Sequence, residues 1–467
     1  MVPDCMAKRK KGQGPVQLEP AQDEREARVM EAARRAYRLA KDKLHEARDP
    51  ASSKEAYESV WEAADEVGRA MVESVEEDEA EEEPDLFVDA EGRRWTAVTR
   101  DARTYHTLRG PIRVRRKRYR SVRNGPTRSL FDERRGVMSR STMPDLGEAI
   151  LRVYADVPGD EAATLLSTLT RHPISPSRIK RFVVDESTAM LAEEKALFEA
   201  VLAEQEVPAA ARTLVISVDA LSLRLRKEGW KQATVATVTM LDADGEPVRR
   251  GSGTLTIRIA EMPEAGKATI MERIEREVRA LVEQRPDLAL EVVIDGAADL
   301  RTHLLERFPE ARHLTDFFHV VEHLSEALRL LFPSDDARRA EERARWCHKL
   351  KHKQGTPFRL WRWLREEMER EEKPVARWAR REIEKHAEYI YNQRPWMKYP
   401  QAIEAKAALG SGVVEASCKT LVTQRLKVSG ASWSREGAGG VLYLRSLLQS
   451  DRFDHAFAFR QATRYAA

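Results

Sequence analysis

The stretch LALEVVIDGAAD, residues 288–299, runs as an apolar strand and then stops on a carboxylate, Asp295, with a glycine directly after it. Two readings of this Asp-Gly stand. As a turn, Asp bonds its own backbone and Gly accepts a positive φ. As a site, the end of a strand in an α/β sheet is where ligands and metals are held. The flanking sequence sets the context for both. RTLVISVDAL (212–221) is an apolar run expected to end as a strand at Asp219, KQATVATVTMLDADGEPV (231–248) reads as a strand with a turn at Asp244-Gly245, and GSGTLTIRIAEM (251–262) reads as a third. A helix over 267–284 precedes the Asp295 strand, and a helix over 298–307 and a short strand in ARHLTDF follow it. Three strands followed by alternating strand and helix predict an α/β, ribonuclease-H-like core.

At 467 residues and 42% hydrophobic content the chain has enough apolar material for two to four structural units. No stretch approaches the ~20 apolar residues of a membrane span, and the opening MVPDCMAKRKKGQGP lacks the apolar centre of a signal peptide. A cytoplasmic location with no membrane partner is expected. Cys5, Cys347 and Cys418 are too scattered for a disulfide framework or a four-ligand zinc site, which fits a reducing compartment. The net charge of +3 conceals a chain that is 34% charged, with the two signs segregated, so partners must be read locally.

Upstream of the core the order is a disordered basic tail (1–19), a helical hairpin (20–75), an acidic linker in VEEDEAEEEPD (76–85) and a basic strand segment (86–140). In the hairpin, Ser52 and Glu55 have capping-box spacing. The strand segment contains RTYHTLRGPIRVRRKRYRSVRN, in which apolar or aromatic residues alternate with cations. Arg113, Arg115, Arg116, Lys117, Arg118 and Arg120 there read either as a phosphate-binding face or as a charge-protected edge. Residues 141–205 form a helix-turn-helix pattern. Ser175 suits a cap and Pro176 the first helical position; Ile179, Phe182 and Val183 share one face, and Ser177, Lys180 and Arg181 point away from it. Such a helix would enter a DNA major groove, and three-helix packing without DNA is the other reading.

The core's first part (206–318) is followed by a helical insertion (319–405) with Trp346, Trp361, Trp363 and Trp378, read as packing anchors. His348 and His352 have a spacing that zinc can use but no third ligand, so a basic helix is the reading. The last region (406–467) holds GSGVVEASCKTLVTQRLKVSGASWS, a helix with Glu415 near its first turn and Lys419 one turn on. Asp219, Asp295 and Glu415 together supply hard oxygen ligands for two Mg²⁺ ions roughly 3.5–4 Å apart, the arrangement that cleaves phosphodiesters without a side-chain base. The other reading of Glu415 is a carboxylate stabilised at a helix N-terminus. Lys419, Arg425 and Lys427 would then hold the substrate backbone.

Through SVDAL, VVIDGAADLRTHLLERFPEARHLTDFFHVVEHL and GSGVVEASCKTLVTQRLKVSGASWSREGA, the sequence resembles bacterial insertion-sequence transposases of the DDE class, a Mutator-related group, over roughly residues 86–455. The resemblance implies that Asp219, Asp295 and Glu415 are the catalytic, metal-binding triad for two Mg²⁺ ions, with Mn²⁺ able to substitute. It also implies that Asp316 and His319 form an Asp-x-x-His signature supporting the site. Without it, Asp316 reads as a helix cap and His319 as a buried packing residue. Ser121 and Asn124 stand where relatives commonly carry a cysteine pair, which leaves a structural zinc there without its ligands. Arg118, Tyr119 and Arg120 remain candidates for phosphate contact. Trp433 is implied to lie near DNA ends, stacking on a base or anchoring a helix terminus.

The implied function is a transposase, in the bacterial nucleoid, that binds the terminal repeats of its element and catalyses two-metal cleavage and strand transfer. Its partners would be double-stranded DNA, as transposon ends and target, and further copies of itself, with the amino-terminal hairpin as mediator. The alternative is a transposase-derived DNA-binding protein without cleavage. A helical structural protein with an incidental α/β core is the least supported class.

Overall fold

The computed structural model describes residues 24–251, 253–264, 266–370 and 375–465, so the expected tail of residues 1–19 lies outside them. The chain divides into two compact units. The first comprises the described residues up to Gly147 with Leu166–Pro173, and the second comprises Glu148–Leu165 and the chain from Ile174 onward.

The first unit opens with the helical hairpin, α1 (Glu24–Glu46) and α2 (Pro50–Glu82). Its turn is closed by Asp49, whose carboxylate accepts from the backbone N–H of Ala51 (2.9 Å) and Ser52 (3.0 Å), while Ser52 Oγ accepts from the N–H of Asp49 (3.1 Å). The capping box is therefore Asp49–Ser52 and not Ser52–Glu55, because Pro50 starts the helix earlier. The acidic run is not a linker: α2 continues through it to Glu82. Its like charges are neutralised by arginines from elsewhere in the unit. Arg25 pairs with Asp78 and Glu81, Arg28 with Glu77 at 3.0 Å, and Arg135 with Glu76 at 2.7 Å.

After α2 come β1 (Leu86–Val88), β2 (Arg94–Thr107) and β3 (Gly110–Arg120), an antiparallel sheet in the order β1-β2-β3, and the short α3 (Leu130–Arg134). Tyr105, Ile112, Val114, Phe131 and Val137 form its core. The basic strand is only partly a surface. Arg116 is 1% exposed and pairs with Asp132 at 3.3 Å, and Lys117 is 4% exposed and pairs with Asp85 at 2.8 Å. Tyr119 is fully buried and donates its hydroxyl to the carbonyl of Pro84 at 2.7 Å, which removes it as a phosphate contact. Asn124 takes a left-handed turn conformation (φ 62°), which its short polar side chain tolerates.

Helices α4 (Pro144–Asp156) and α5 (Gly159–Thr170) each contribute to both units, and α6 (Pro176–Ala192) and α7 (Glu194–Glu204) belong to the second. Ser175 caps α6 by accepting from the N–H of Arg178, with Pro176 at the first helical position. Ile179, Phe182 and Val183 are buried, and Ser177, Lys180 and Arg181 are exposed.

The second unit is built on a mixed sheet of β4 (Thr213–Leu225), β5 (Gly229–Leu241), β6 (Thr256–Glu261), β7 (Ala289–Ile294) and β8 (Arg312–Thr315), in the order β8-β7-β4-β5-β6. Strands β4, β5 and β6 are antiparallel, while β7 is parallel to β4 and β8 to β7. The two crossovers run through α8 (Ala268–Gln284) and α9 (Ala298–Arg307). Alternate residues serve opposite faces of the sheet. Leu214, Ile216, Val292 and Ile294 pack in one core with Ile274, Val278 and Leu304 from α8 and α9, and Val215, Val293 and Leu314 pack in another with Ala402.

Beyond β8 the insertion comprises α10 (Phe317–Leu331), α11 (Asp336–His352), α12 (Thr356–Met368), α13 (Arg377–Gln393) and α14 (Tyr399–Glu404), with a core of its own around Leu324, Leu360, Leu364, Ile383 and Ile390. Trp346, Trp361 and Trp363 pack in or against that core; Trp378 is 65% exposed and is no anchor within it. The chain then forms α15 (Gly412–Ser417), a π-helical turn (Cys418–Thr423), a last α turn (Gln424–Leu426), α16 (Arg435–Gln449) and α17 (Phe453–Thr463). Among the described residues no helix is long and apolar enough to cross a membrane.

Candidate active site

Strands β4 and β7 bring the two aspartates side by side. Their register pairs Ile216 with Val292 at its end, and Asp219 and Asp295 each lie three residues past that pair. β4 does not end at Asp219 as its sequence predicts; it continues to Leu225 because β5 pairs with it throughout, placing Asp219 opposite Val235. Asp219 therefore projects from a continuous strand where the parallel neighbour has stopped. Asp295 leaves that neighbour's carboxyl end.

Each carboxylate is half-fixed by the backbone. Asp219 Oδ1 accepts from the N–H of Ala220 at 2.6 Å, and Asp295 Oδ1 accepts from the N–H of Ala297 at 3.0 Å. Burial raises the pKa of Asp295 and the Asp219 carboxylate adds to the effect, against the lowering influence of the Ala297 N–H, His319 and Arg301. Among the described residues neither aspartate has a cationic side chain within ion-pair distance. Two adjacent, partly desolvated carboxylates without such a partner are held at an electrostatic cost that a hard divalent cation would relieve.

Glu415 sits in the first turn of α15 and is exposed. Cys418, three residues on, links it to the aspartates: its thiol donates to Asp219 Oδ2 at 3.5 Å. Burial, then Asp219, then Glu415 all push the thiol pKa up, so Cys418 is a neutral S–H at physiological pH. The π-helical turn begins at this cysteine and shifts the helix register directly after Glu415. The three carboxylates do not converge fully. Among the described residues no group of three His, Cys, Asp or Glu side chains is arranged to hold one ion. The aspartate pair suits Mg²⁺ by donor chemistry, and with Glu415 it does not form a single ligand group.

The floor of the site is supplied by residues the sequence did not single out. Arg301, 3% exposed, donates to the carbonyl of Leu314 (3.1 Å) and to Thr315 Oγ1 (3.0 Å) and lies over the Trp396 ring; burial lowers its pKa to about 10. Tyr389 of α13 packs against Gly296 so closely that a Cβ there would overlap its ring, and Gln393 donates to the Gly296 carbonyl at 3.2 Å. Gly296 is thus needed for close approach and not for a positive φ. Cys418 carried one readable signal, its place one turn after Glu415; Arg301 and Tyr389 carried none.

Asp316 is a structural cap. One oxygen accepts from the N–H groups of Phe318 (2.6 Å) and His319 (3.3 Å), and the other from the N–H (2.6 Å) and hydroxyl of Ser411. This ties the start of α10 to the start of α15 and so helps position Glu415. His319 is half-exposed and bonds Glu322 at 3.1 Å, so it is not a buried packing residue, and it is near enough to Asp295 to lower that pKa.

The candidate DNA contacts separate into two groups. Ser177, Lys180, Arg181, Lys419 and Lys427 are exposed, and Ser177 and Lys180 line a cleft of about 580 Å³ between α6 and the 428–434 loop. Arg425 is corrected to a structural role, and of the two readings of Trp433 the burial matches the helix-terminal anchor and not the stacking platform. Arg425 is 2% exposed, donates to the carbonyl of Tyr154 at 3.0 Å and lies between the Tyr154 and Trp433 rings; Trp433 is 8% exposed and donates to the carbonyl of Leu426 at 3.1 Å. A cation buried among aromatic rings is unavailable to a phosphate. In the first unit, Arg118 bonds Thr127, and both Arg118 and Arg120 are half-buried.

The chain belongs to UPF0236, an uncharacterised protein family. The family match spans residues 47–450 and so includes the aspartate pair, α15, α6 and the whole insertion, while α1 lies before it. No curated protein matches the UPF0236 chain.

Proposed function

We propose that this UPF0236 protein is a DDE-class DNA transposase that binds the terminal repeats of its element and catalyses metal-dependent cleavage and strand transfer. The observation that carries the reading is the half-buried Asp219–Asp295 pair on neighbouring parallel strands. The strand order, three antiparallel strands followed by two parallel ones on the other side of the first, supports a ribonuclease-H-like core. Two Mg²⁺ or Mn²⁺ ions, when bound, would supply an activated water and stabilise the leaving oxygen. Asp219 and Asp295 would hold them, with Glu415 brought in from α15. Lys419 and Lys427, exposed around the same helix, suit the phosphates of a substrate strand, and the Ser177–Lys180–Arg181 face of α6 suits a major groove.

A second reading, a transposase-derived protein that binds DNA without cutting it, is favoured by one observation: Glu415 does not join the aspartates in a single ligand group. Binding and cleavage of a duplex carrying the element's ends separate the two. Arg181→Ala should weaken end binding by about tenfold, the typical loss for one DNA contact, whereas Asp295→Asn should bind as the wild type does and not cut. Cleavage by Asp295→Asn at the wild-type rate would refute the transposase reading, and wild-type binding without cutting under either metal would establish the second.

A further inference from the structure

Helix α2 has three faces when its residues are set at 100° steps. One packs on α1 and carries the buried Ala56 and Ser74. The second serves β3 and its surroundings: Arg69 donates to the carbonyl of Arg109 at 2.9 Å, and Glu73 accepts from the N–H of Arg113 at 2.8 Å. The third is apolar and largely exposed, with the Arg171 guanidinium over one side of the Trp61 ring, 5.8 Å from its centre. Tyr57, Trp61, Ala64, Gly68, Met71 and Val75 follow one another at alternating steps of four and three, the spacing of a coiled-coil seam. Tyr57 is 55% exposed, Trp61 52%, Met71 52% and Val75 59%, and Val72 beside them is 44% exposed.

Gly68 is the informative member. Glycine weakens a helix interior. Here it has no positive φ, and a Cβ built on it meets nothing within 4 Å. Nothing inside the described chain calls for a missing side chain at this point. A helix from outside, crossing closely at Ala64 and Gly68, does.

We propose that this seam is the interface of a homodimer, in which α2 of a second copy crosses it antiparallel about a two-fold axis. With that symmetry Trp61 meets Met71, Tyr57 meets Val75 and Ala64 meets Gly68, so large residues oppose medium ones and the small pair sits at the crossing. A parallel crossing would set Trp61 against itself. Half an aromatic or long aliphatic side chain is on the order of 100 Å², so the five exposed residues offer on the order of 500 Å² per copy. Two copies then bury about 1,000 Å², the size at which specific interfaces begin.

The proposal stands whether or not Asp219 and Asp295 bind metal. Light scattering on the full chain over a dilution series tests it, with circular dichroism to verify folding. The wild type should show twice the 53.3 kDa chain mass. Gly68→Leu and the double variant Trp61→Glu/Met71→Glu should stay folded and run as 53.3 kDa monomers, since Trp61 and Met71 are half-exposed and a Cβ at Gly68 meets nothing within 4 Å. Gly68→Leu should keep its helix content, because leucine is the better helix former. A wild type at the monomer mass throughout, or folded variants that keep the dimer mass, would overturn the interface.

Discussion

The glycine after Asp295 carries the tightest local constraint around the candidate site. A methyl group at position 296 would enter the Tyr389 ring and approach Gln393 Nε2 to 3.1 Å, and both belong to a helix whose other side is packed in its own core. Gly296→Ala should therefore cost about 1–3 kcal/mol, the usual price of overpacking, read as a lowered denaturant midpoint with an unchanged slope. A variant as stable as the wild type would mean that Tyr389 yields freely. At this scale the sequence was legible where a residue broke the pattern around it. Asp219 and Asp295 stood out as charges against apolar strands. Arg425 looked like a surface residue of a basic helix, because the carbonyl that takes it up belongs to Tyr154, far upstream in the chain, whereas the anchoring alternative for Trp433 is the one its burial matches.

Between elements, the contact of α10 with α13 contains a titratable device. His323 and His386 face each other, Nδ1 to Nδ1 at 2.9 Å, and His323 stacks on Tyr389 with ring centres 3.7 Å apart. One imidazole must donate and the other accept, so the pair is at most singly protonated. Burial, then His386 and His319, lower the His323 pKa to about 4; burial lowers that of His386, against the pull of Glu326 and Glu382. The unfolded chain thus binds more protons than the folded one below the ordinary histidine value of about 6.5, and stability falls as pH falls from there toward 4. Melting temperatures from pH 7.5 to 4 should drop for the wild type and drop less for His323→Gln; parallel curves would exclude the pair as the cause. Helices and strands were legible from their periods. The acidic end of α2 was not, because the arginines that neutralise it come from α1 and from beyond β3, and a like-charge run shows no partner in its own window.

Across the whole molecule, alternating strand and helix predicted the composition of the second unit's sheet, but register decides what that sheet does. The pairing of β4 with β7 sets Asp219 level with Asp295, and the cap that Asp316 places between α10 and α15, with the Cys418 thiol on Asp219, brings Glu415 to the same region. Neither could be read from spacing, since the residues involved are far apart in sequence. The most direct test of a cation site at the aspartate pair needs no knowledge of the element's ends. It is calorimetric titration of Mn²⁺ into the wild-type protein, Asp219→Asn and Asp295→Asn, with folding verified for each. Saturable uptake by the wild type that is lost in both variants is expected; no uptake by the wild type, or uptake unchanged in the variants, would contradict a metal role for the pair.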